Sequence, residues 1–448
     1  MQSNESQTTQ VDVGAIADNG TWTASRKGVL MLCALAIVLD GLDNQILGFA
    51  IPSMIAEWEV ARADFAPALA LGYVGMTIGT PIGGILGDRI GRKAALILAV
   101  ILFGLATAAI AFAQSPSEVS LYRFIGGLGL GGALPAATTL IAEFTPQRRR
   151  SLSVLLGLVC IPIGGMIGGL LAAELLPHYG WRMLFIVSGI APLIVAVLLM
   201  IRLPESPQYL LAKGASGERI AASVRRMGVP AAPTDSFVDY RSSDVMPSLG
   251  TLFKAGLARS TISLWVAFFF CLLPVYVIYA WTPTLLTGST FPVATASFAL
   301  ALFNFGGIAD CVVAGWAIGR FGSRAGMLSF TGAAALIAGL MLATPFTPDN
   351  QAMVMVTLTM LGFFLLGAQG SLYALATHIY PAQVRSTGLG AAAGVGRAGA
   401  IVSAYVGAAA LGSGAASFFG VIAACLSITL LALILVNRHS ERVSMQSS

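Results

Sequence analysis

Long apolar segments, separated by short polar ones, run along most of the 448 residues of this chain. About 20 consecutive apolar residues are enough for a helix to cross the roughly 30 Å hydrocarbon core of a bilayer. Twelve segments reach that length, and they predict an all-α membrane protein with twelve spanning helices. The predicted helices are 28–54, 65–87, 94–113, 119–142, 151–175, 181–203, 261–286, 294–318, 325–345, 351–376, 384–411 and 414–436.

The polar segments divide these helices into two groups of six. A polar loop at 204–260 separates a first group, 28–203, from a second group, 261–436. Polar tails at 1–27 and 437–448 flank the two groups. The first tail contains no apolar core of the kind found in a secretory signal, so we expect the first span itself to direct insertion.

Composition excludes a soluble protein. The chain is 56% hydrophobic and 10% charged, whereas a soluble domain carries about 25% charged residues. All five cysteines fall in apolar stretches without a CxxC motif, so we interpret them as packing residues and expect no metal site. There is no Gly-Lys pair from which to build a Walker A loop. We therefore expect no cofactor. If the protein moves a solute across the membrane, we expect the proton gradient to supply the energy.

The positive charges orient the chain in the membrane. If both termini are cytoplasmic, 21 of the 25 Lys and Arg residues lie in cytoplasmic segments. The exceptions are Arg62, Arg123, Arg182 and Arg397. This asymmetry follows the positive-inside rule and predicts a multi-pass protein of the cytoplasmic (inner) membrane with both termini in the cytoplasm.

Two polar motifs of the first half recur in the second half. Residues 83–93 (GGILGDRIGRK) correspond to 314–324 (AGWAIGRFGSR), and residues 143–151 (EFTPQRRRS) correspond to 379–387 (IYPAQVRST). Measured between matching residues, the two pairs are 231 and 235 positions apart. Such agreement indicates an internal duplication, which predicts two pseudo-symmetric bundles related by an axis along the membrane normal.

Two acidic residues, Asp40 and Asp43, lie inside the first predicted span. Asp40 is about 18 Å from the start of that helix, near the membrane centre, and the spacing of three places both on one face. Carboxyl groups at this depth are rare and mark transport paths or proton relays. Burial and mutual repulsion favour the uptake of one proton per cycle by the coupled pair. The alternative is a satisfied aspartate at a helix break at Gly41.

Arg397 is the one basic residue deep in a predicted span, about 20 Å from the start of its helix. A bidentate guanidinium in a dry cavity suits a substrate carboxylate. The alternative is a permanent salt bridge to an aspartate of the other bundle. Asp310 is also within a span, and three roles are open to it: a second proton site, a partner for Arg397, or an acceptor for a substrate hydroxyl.

Aromatic and charged side chains complete the candidate residues within the helices. Tyr276 and Tyr279, together with Tyr73 and Tyr373, could line a cavity for an aromatic substrate, although aromatic residues at such spacing are more often packing or interface anchors. Two further charges, at the ends of the fourth predicted helix, are interpreted as interhelix pairs. These are Arg123 and Glu143.

The loop after the second helix resembles the G-x-L-x-D-R-x-G-R-K motif of the major facilitator superfamily. Asp88 and the arginines can pair at a helix end and form a latch between the bundles on the cytoplasmic side. Gly91 permits the tight turn. The predicted latch residues are Gly84, Asp88, Arg89, Gly91 and Arg92.

Taken together, these motifs resemble the aromatic acid:proton symporter family within that superfamily. The resemblance covers both halves of the chain. It implies the major facilitator fold and proton-coupled uptake of an aromatic carboxylic acid, such as a hydroxybenzoate, by alternating access. Asp40 and Asp43 would couple transport to the proton or bind the substrate, and Arg397 would bind the substrate carboxylate. Asp310 and Thr377-His378 depart from the family pattern. The matching residues are Asp40-Gly41-Leu42-Asp43, Gly48-Phe49, Pro52, Asp88–Lys93, Arg123-Phe124, Gly126, Gly129, Leu134-Pro135, Glu143, Leu203–Ser206, Trp281–Pro283, Tyr380-Pro381, Arg385–Gly388 and Gly396-Arg397.

Other functions stay open at this point. The same fold could carry another organic anion, such as a dicarboxylate, or act as an exporter. A non-transporting membrane sensor is the alternative from another class. An enzyme is not expected, because no HExxH or GxSxG motif is present and the 204–260 loop is short and polar. The expected partners are a small aromatic carboxylate, a proton and the lipid bilayer; we expect a monomer that binds no nucleic acid.

Overall fold

The computed structural model shows a helical protein. It describes residues 10–239, 249–253, 257–321, 323–380 and 384–436. In this part of the chain, eleven helices are long and apolar enough to cross a membrane. The predicted carboxy-terminal tail lies outside the described residues.

The first bundle is built from long, mainly apolar helices preceded by one short helix. Each break falls at the polar or Gly/Pro positions that the sequence pattern marks. The helices are α1 (Val13–Asn19), α2 (Ala24–Trp58), α3 (Ala66–Ile90), α4 (Arg92–Ile110), α5 (Pro116–Phe144) and α6 (Gln147–Arg202).

Helix α6 contains the fifth and sixth predicted spans. Its 56 residues would reach roughly 84 Å if straight, far more than one membrane crossing requires. Gly180 interrupts the helix with φ 74° and ψ 175°, a conformation that glycine adopts readily. Counted on either side of this break, the described chain has twelve crossing segments, as predicted.

The second bundle follows a polar connection that contains two short helices. These are α7 (Pro207–Ala212) and α8 (Gly217–Arg226). The long helices of the second bundle agree with the predicted spans to within a few residues. They are α9 (Ala258–Gly288), α10 (Val293–Phe321), α11 (Ser323–Met341), α12 (Gln351–Ile379), α13 (Arg385–Gly412) and α14 (Ala415–Ile434).

Glycines bring α3 and α5 into close contact. A Cβ atom at Gly75, Gly79 or Gly83 would meet the backbone of α5, and one at Gly127 or Gly131 would meet the backbone of α3. Without a hydrophobic driving force between helices in lipid, such small residues allow the close packing that holds spans together. The glycines at every fourth position of α3 therefore form a stripe that packs against α5.

Three helix pairs carry most of the contacts between the two bundles: α2 with α9, α3 with α13, and α6 with α10. The outward faces of the helices instead expose large apolar side chains, among them Phe112, Leu121 and Ile194. A soluble protein rarely exposes apolar patches of this extent, whereas a lipid-facing surface requires them. The polar groups described below lie between the bundles or inside one of them.

A small folded unit lies at the predicted cytoplasmic end of the first bundle, and we call it the loop domain. It consists of α1, α7, α8 and a parallel pair of strands, β1 (Gln10–Asp12) and β2 (Ser236–Val238). Its apolar cluster includes Val13, Leu210 and Val224. The sequence pattern gave only a polar tail and a polar loop here, because short amphipathic elements do not raise the local hydropathy.

Candidate functional site

Asp43 is enclosed within the first bundle. Its Oδ2 lies 3.1 Å from Nη1 of Arg123, and Thr107 donates a hydrogen bond to its Oδ1. Arg123 also donates to the backbone carbonyl of Asp43 at 3.1 Å. Both charged side chains are almost fully buried. The ion pair joins α2 to α5 and neutralises the charge of Asp43.

Arg123 was interpreted from the sequence as a helix-pairing charge without a named partner. The structure places it against Asp43, which the sequence analysis had treated as one half of a pair with Asp40. The two residues are 80 positions apart, and no sequence pattern links them. Only the packing of α5 against α2 brings them together.

Asp40 has different surroundings. It is 5% exposed, and its Oδ1 has no hydrogen-bond partner. No cation forms an ion pair with it in the described residues, although Arg397 is near enough for the two charges to interact. The alternative of a helix break beside it is wrong, because α2 is continuous and Gly41 lies against the backbone of Ile161 in α6.

Arg397 reaches from the second bundle to the first. Its Nη1 donates to the hydroxyl of Thr80 and, at 3.3 Å, to the carbonyl of Met76. Both acceptors are neutral and belong to α3. Within the described part of the chain Arg397 forms no ion pair, so the expected alternative of a salt bridge to an aspartate is not found there. Its positive charge is held at the bundle interface by neutral acceptors.

Two tyrosines lie within the field of this cation, and further rings pack against one of them. The ring of Tyr276 lies 4.7 Å from that of Tyr73 and 6.1 Å from that of Tyr279, both edge to face. The charge of Arg397 acts on both Tyr276 and Tyr373. Helices α9 and α12 thus supply rings within the field of the guanidinium, and α3 adds Tyr73, which packs against Tyr276.

We call Asp40, Tyr73, Tyr276, Tyr373 and Arg397 the central cluster. It combines one carboxyl group, one guanidinium and three rings from both bundles. A planar anion with an apolar ring is complementary to such a lining, because the guanidinium can hold its carboxylate while the rings contact its faces and edges.

Two amide side chains that the sequence analysis did not single out lie beside the central cluster. Asn44, directly after Asp43, lies close enough to Tyr276 for the two side chains to interact, and its Oδ1 has no hydrogen-bond partner. Asparagine in an apolar helix is the signal that could have identified it, since buried amides require hydrogen bonds.

The second amide, Gln45, pairs with Asn304 across the bundle interface. Gln45 donates to Asn304 at 3.1 Å and accepts from it at 2.8 Å. The two side chains are 1% and 0% exposed. Gly165 of α6 leaves the room they need, because a Cβ there would collide with both amides. This reciprocal pair fixes the local register of α2 against α10.

Asp310 lies in the second bundle. It is 3% exposed, and its carboxyl group rests against Gly367 of α12. Its Oδ1 has no hydrogen-bond partner, and it forms no ion pair with Arg397 in the described structure. Of the three roles open to Asp310, that of a partner for Arg397 is therefore not seen in this conformation. The other two stay predictions.

The predicted latch residues interact mainly within the first bundle. Arg92 contacts Asp88 at 2.9 Å and Glu143 at 3.6 Å. The carbonyl of Arg89 accepts a hydrogen bond of 3.0 Å from the hydroxyl of Tyr209 in the loop domain. Asp88 is 74% exposed. Glu143, expected to pair helices, thus lies close to the charged loop.

The turn between α3 and α4 depends on Gly91. Its φ is 106°, a value that L side chains rarely adopt. Glu205 lies against it and accepts a 3.0 Å hydrogen bond from the backbone N–H of Lys93. Gly84 faces open space instead. The described residues show no latch contact with the second bundle, and residues 322 and 381–383 of the equivalent loops lie outside the description, so the latch between bundles stays a prediction.

The family profile described as Major Facilitator Superfamily matches residues 33–404. The chain belongs to the Major Facilitator Superfamily. It is a multi-pass membrane transporter, not an enzyme. Among the described residues of this transporter, no group of three or more His, Cys, Asp or Glu side chains could hold a metal ion.

Two curated transporters are similar over nearly their whole length. The 4-hydroxybenzoate transporter of Pseudomonas aeruginosa is 35% identical over 413 residues, which cover 90% of each chain. The gallate transporter of Pseudomonas putida is 34% identical over 407 residues, again 90% of each chain. Both sequence identities are above 30% over most of each chain, which is enough to show a shared family. Both relatives are named for the transport of aromatic acids.

The fold also matches a solved structure. A partially occluded, inward-open structure of the xylose transporter from Escherichia coli superposes with a TM-score of 0.70 at 18% identity. The match covers 91% of this chain and 98% of the xylose transporter. At this identity the match shows the shared fold only, and it agrees with the predicted two-bundle architecture of the transporter.

Proposed function

We propose that this transporter takes up an aromatic carboxylic acid together with a proton by alternating access. The observation that carries the proposal is Arg397, a guanidinium inside a span that has no anionic partner in the described residues. A charge is costly at this depth. A substrate carboxylate would neutralise it and gain charge-assisted hydrogen bonds.

The aromatic part of the proposal rests on the lining of the site. Tyr276 and Tyr373 lie within the field of Arg397, and Tyr73 packs edge to face against Tyr276. These rings provide surfaces for edge-to-face or stacked contacts. The names of the similar transporters, for 4-hydroxybenzoate and gallate, support the same substrate class. A dicarboxylate would instead require a second cation, and Arg123, whose charge acts on Tyr73, is already paired with Asp43.

Asp40 is the proposed proton carrier. A buried carboxyl group without a hydrogen-bonded cation is held more cheaply neutral than charged, whereas Asp43 is neutralised by Arg123. Binding of a carboxylate at Arg397 would neutralise the positive charge that acts on Asp40 in the described structure. Uptake of the anion would thereby favour protonation of Asp40, which couples the two ligands.

We further propose that the transporter is a monomer of the inner membrane with both termini in the cytoplasm. The distribution of Lys and Arg supports this orientation. The loop domain and the predicted latch would then lie on the cytoplasmic side. Rocking of the bundles about the central cluster would expose it alternately to each side.

The proposal is tested by uptake of labelled acids into proteoliposomes with an imposed pH gradient. The panel contains benzoate, a hydroxybenzoate and a dicarboxylate, each with and without a protonophore. We expect accumulation of the aromatic acids that collapses when the protonophore is added. Accumulation that is unchanged by the protonophore would refute proton coupling. Preference for the dicarboxylate would refute the proposed substrate class. Absence of any uptake would favour a sensor.

Replacement of the cation gives the matched test of the site. Arg397→Ala should abolish saturable uptake, because the carboxylate would lose the guanidinium that we propose binds it. Arg182→Ala is the control, since Arg182 pairs with Glu57 at a half-exposed position and exposed ion pairs contribute little. Equal uptake by both variants would remove Arg397 from the site.

A further inference from the structure

Asn44 is a buried polar residue at the central cluster for which the proposed function has no use. It is 8% exposed and lies one helical turn after Asp40, so that both side chains share a face of α2. Its side chain interacts with that of Tyr276, while its Oδ1 is buried without any partner in the described residues.

A buried amide oxygen without a donor is uncommon in folded proteins. More than nine in ten buried polar backbone groups, and most buried side-chain polar atoms, have a partner. The neighbouring amide, Gln45, follows that rule, because Asn304 satisfies it on both sides. Asn44 therefore differs from the adjacent residue in lacking a donor, and the missing donor has to come from outside the described protein atoms.

The position of Asn44 indicates which molecule supplies that donor. Tyr276 connects the two parts of the site, since it interacts with the side chain of Asn44 and lies within the field of Arg397. A ring bound with its carboxylate at Arg397 and its face or edge at Tyr276 would have Asn44 at its periphery. A hydroxyl group on that ring is a hydrogen-bond donor of suitable size.

We infer that Asn44 determines substrate specificity by accepting a hydrogen bond from a ring hydroxyl of the aromatic acid. This inference rests on the proposed function. A site that is built to bond a substrate hydroxyl discriminates strongly against the analogue that lacks it, because the protein acceptor is then left buried and unpaired. The transporter should therefore prefer hydroxylated aromatic acids to benzoate.

The test compares the kcat/KM values for a hydroxybenzoate and for benzoate in proteoliposomes, with the ratio of the two as the readout. Asn44→Leu removes the acceptor and retains the branching of the side chain. We expect this variant to lower the ratio by roughly tenfold or more, chiefly through poorer transport of the hydroxylated acid. Asn44→Ser retains an acceptor and should give an intermediate ratio.

Gln45→Leu is the matched control, because it removes a neighbouring amide that already has a protein partner. It should change the kcat/KM values for both acids by the same factor and leave their ratio unchanged. If Asn44→Leu impairs both acids equally, Asn44 has a structural role and the inference is overturned. An unchanged ratio with normal transport overturns it as well. If the wild-type protein accumulates neither acid, it is the proposed function that fails, and the inference falls with it.

Discussion

Asp40 and Asp43 show how strongly the surroundings decide the role of a residue. Both are carboxyl groups in one helix, three residues apart. Asp43 is enclosed by Arg123 and Thr107 of its own bundle, whereas Asp40 has no ion-pair partner in the described structure and lies in the field of Arg397 from the other bundle. Of the two aspartates, only Asp40 therefore lies where movement of the bundles can change the electrostatic effect of Arg397 on its carboxyl group.

The first prediction separates the two aspartates by stability. Asp43→Asn removes the anion that neutralises buried Arg123 and should lower the free energy of unfolding by about 3–5 kcal/mol. Asp40→Asn breaks no ion pair and should change it by less than about 1 kcal/mol. Thermal unfolding of the purified variants in detergent measures the difference.

A double variant provides the control for this prediction. Asp43→Asn combined with Arg123→Gln leaves no unpaired charge and should recover a substantial part of the lost stability. Equal stabilities of the two single variants, or a double variant less stable than either, would contradict the interpretation of the ion pair.

At the scale of elements, glycines determine how closely the helices approach. The glycine stripe of α3 is visible in the sequence as a spacing of four, but the partner helix is not. Gly165 of α6 has a role that no spacing indicates, because it makes room for two amides contributed by α2 and α10. Three helices from both bundles meet at this one position.

The second prediction concerns that meeting point. Gly165→Ala places a methyl group where Gln45 and Asn304 now form their hydrogen bonds. Overpacking of this kind costs about 1–3 kcal/mol, so we expect a lower melting temperature and slower uptake. Both quantities can be measured on the same purified protein.

Gly332→Ala in α11 is the matched control. A Cβ at Gly332 meets nothing within 4 Å, and alanine favours the helix by about 1 kcal/mol over glycine. This variant should be as stable as the wild type or slightly more so. A melting temperature lowered equally by both substitutions would show that the loss at Gly165 does not come from the amide pair.

At the scale of the whole molecule, two bundles of similar construction meet around a small charged and aromatic centre. The contacts between them run through α2 with α9, α3 with α13, and α6 with α10. The charged loop after α3 is held by its own bundle and by Tyr209 of the loop domain. Asp88 at its end is exposed and paired only with Arg92 in the described residues, so it is available for a contact in another conformation.

The third prediction addresses that conformation. Asp88→Asn removes the acid of the predicted latch, which we expect to stabilise the state closed on the cytoplasmic side. Since Asp88 touches no member of the central cluster, the maximal rate of uptake should fall while KM changes little. Steady-state uptake over a range of substrate concentrations separates the two parameters.

Asp349→Asn is the control for surface charge, because Asp349 is an exposed aspartate before α12. It should leave both parameters unchanged. A large rise in KM for Asp88→Asn, or an equal fall in rate for both variants, would contradict a latch.

The sequence by itself determined the class of the protein, its helices and its family. Each of these depends on local or repeated features: apolar length fixes a span, charge asymmetry predicts orientation, and the loop motif with its second copy reveals the duplication. Candidate charges such as Asp40 and Arg397 were also recognisable, because ionised groups in long apolar segments are costly wherever the helices pack.

Only the tertiary structure decided which of these groups meet. The pairing of Asp43 with Arg123, the amide pair of Gln45 with Asn304, and the placement of Asp310 against Gly367 all join residues far apart in the chain. The loop domain likewise became visible only when its strands paired. Such contacts depend on how helices rotate and pack against one another, and a local pattern of apolar and polar residues carries no information about the partner that packing will supply.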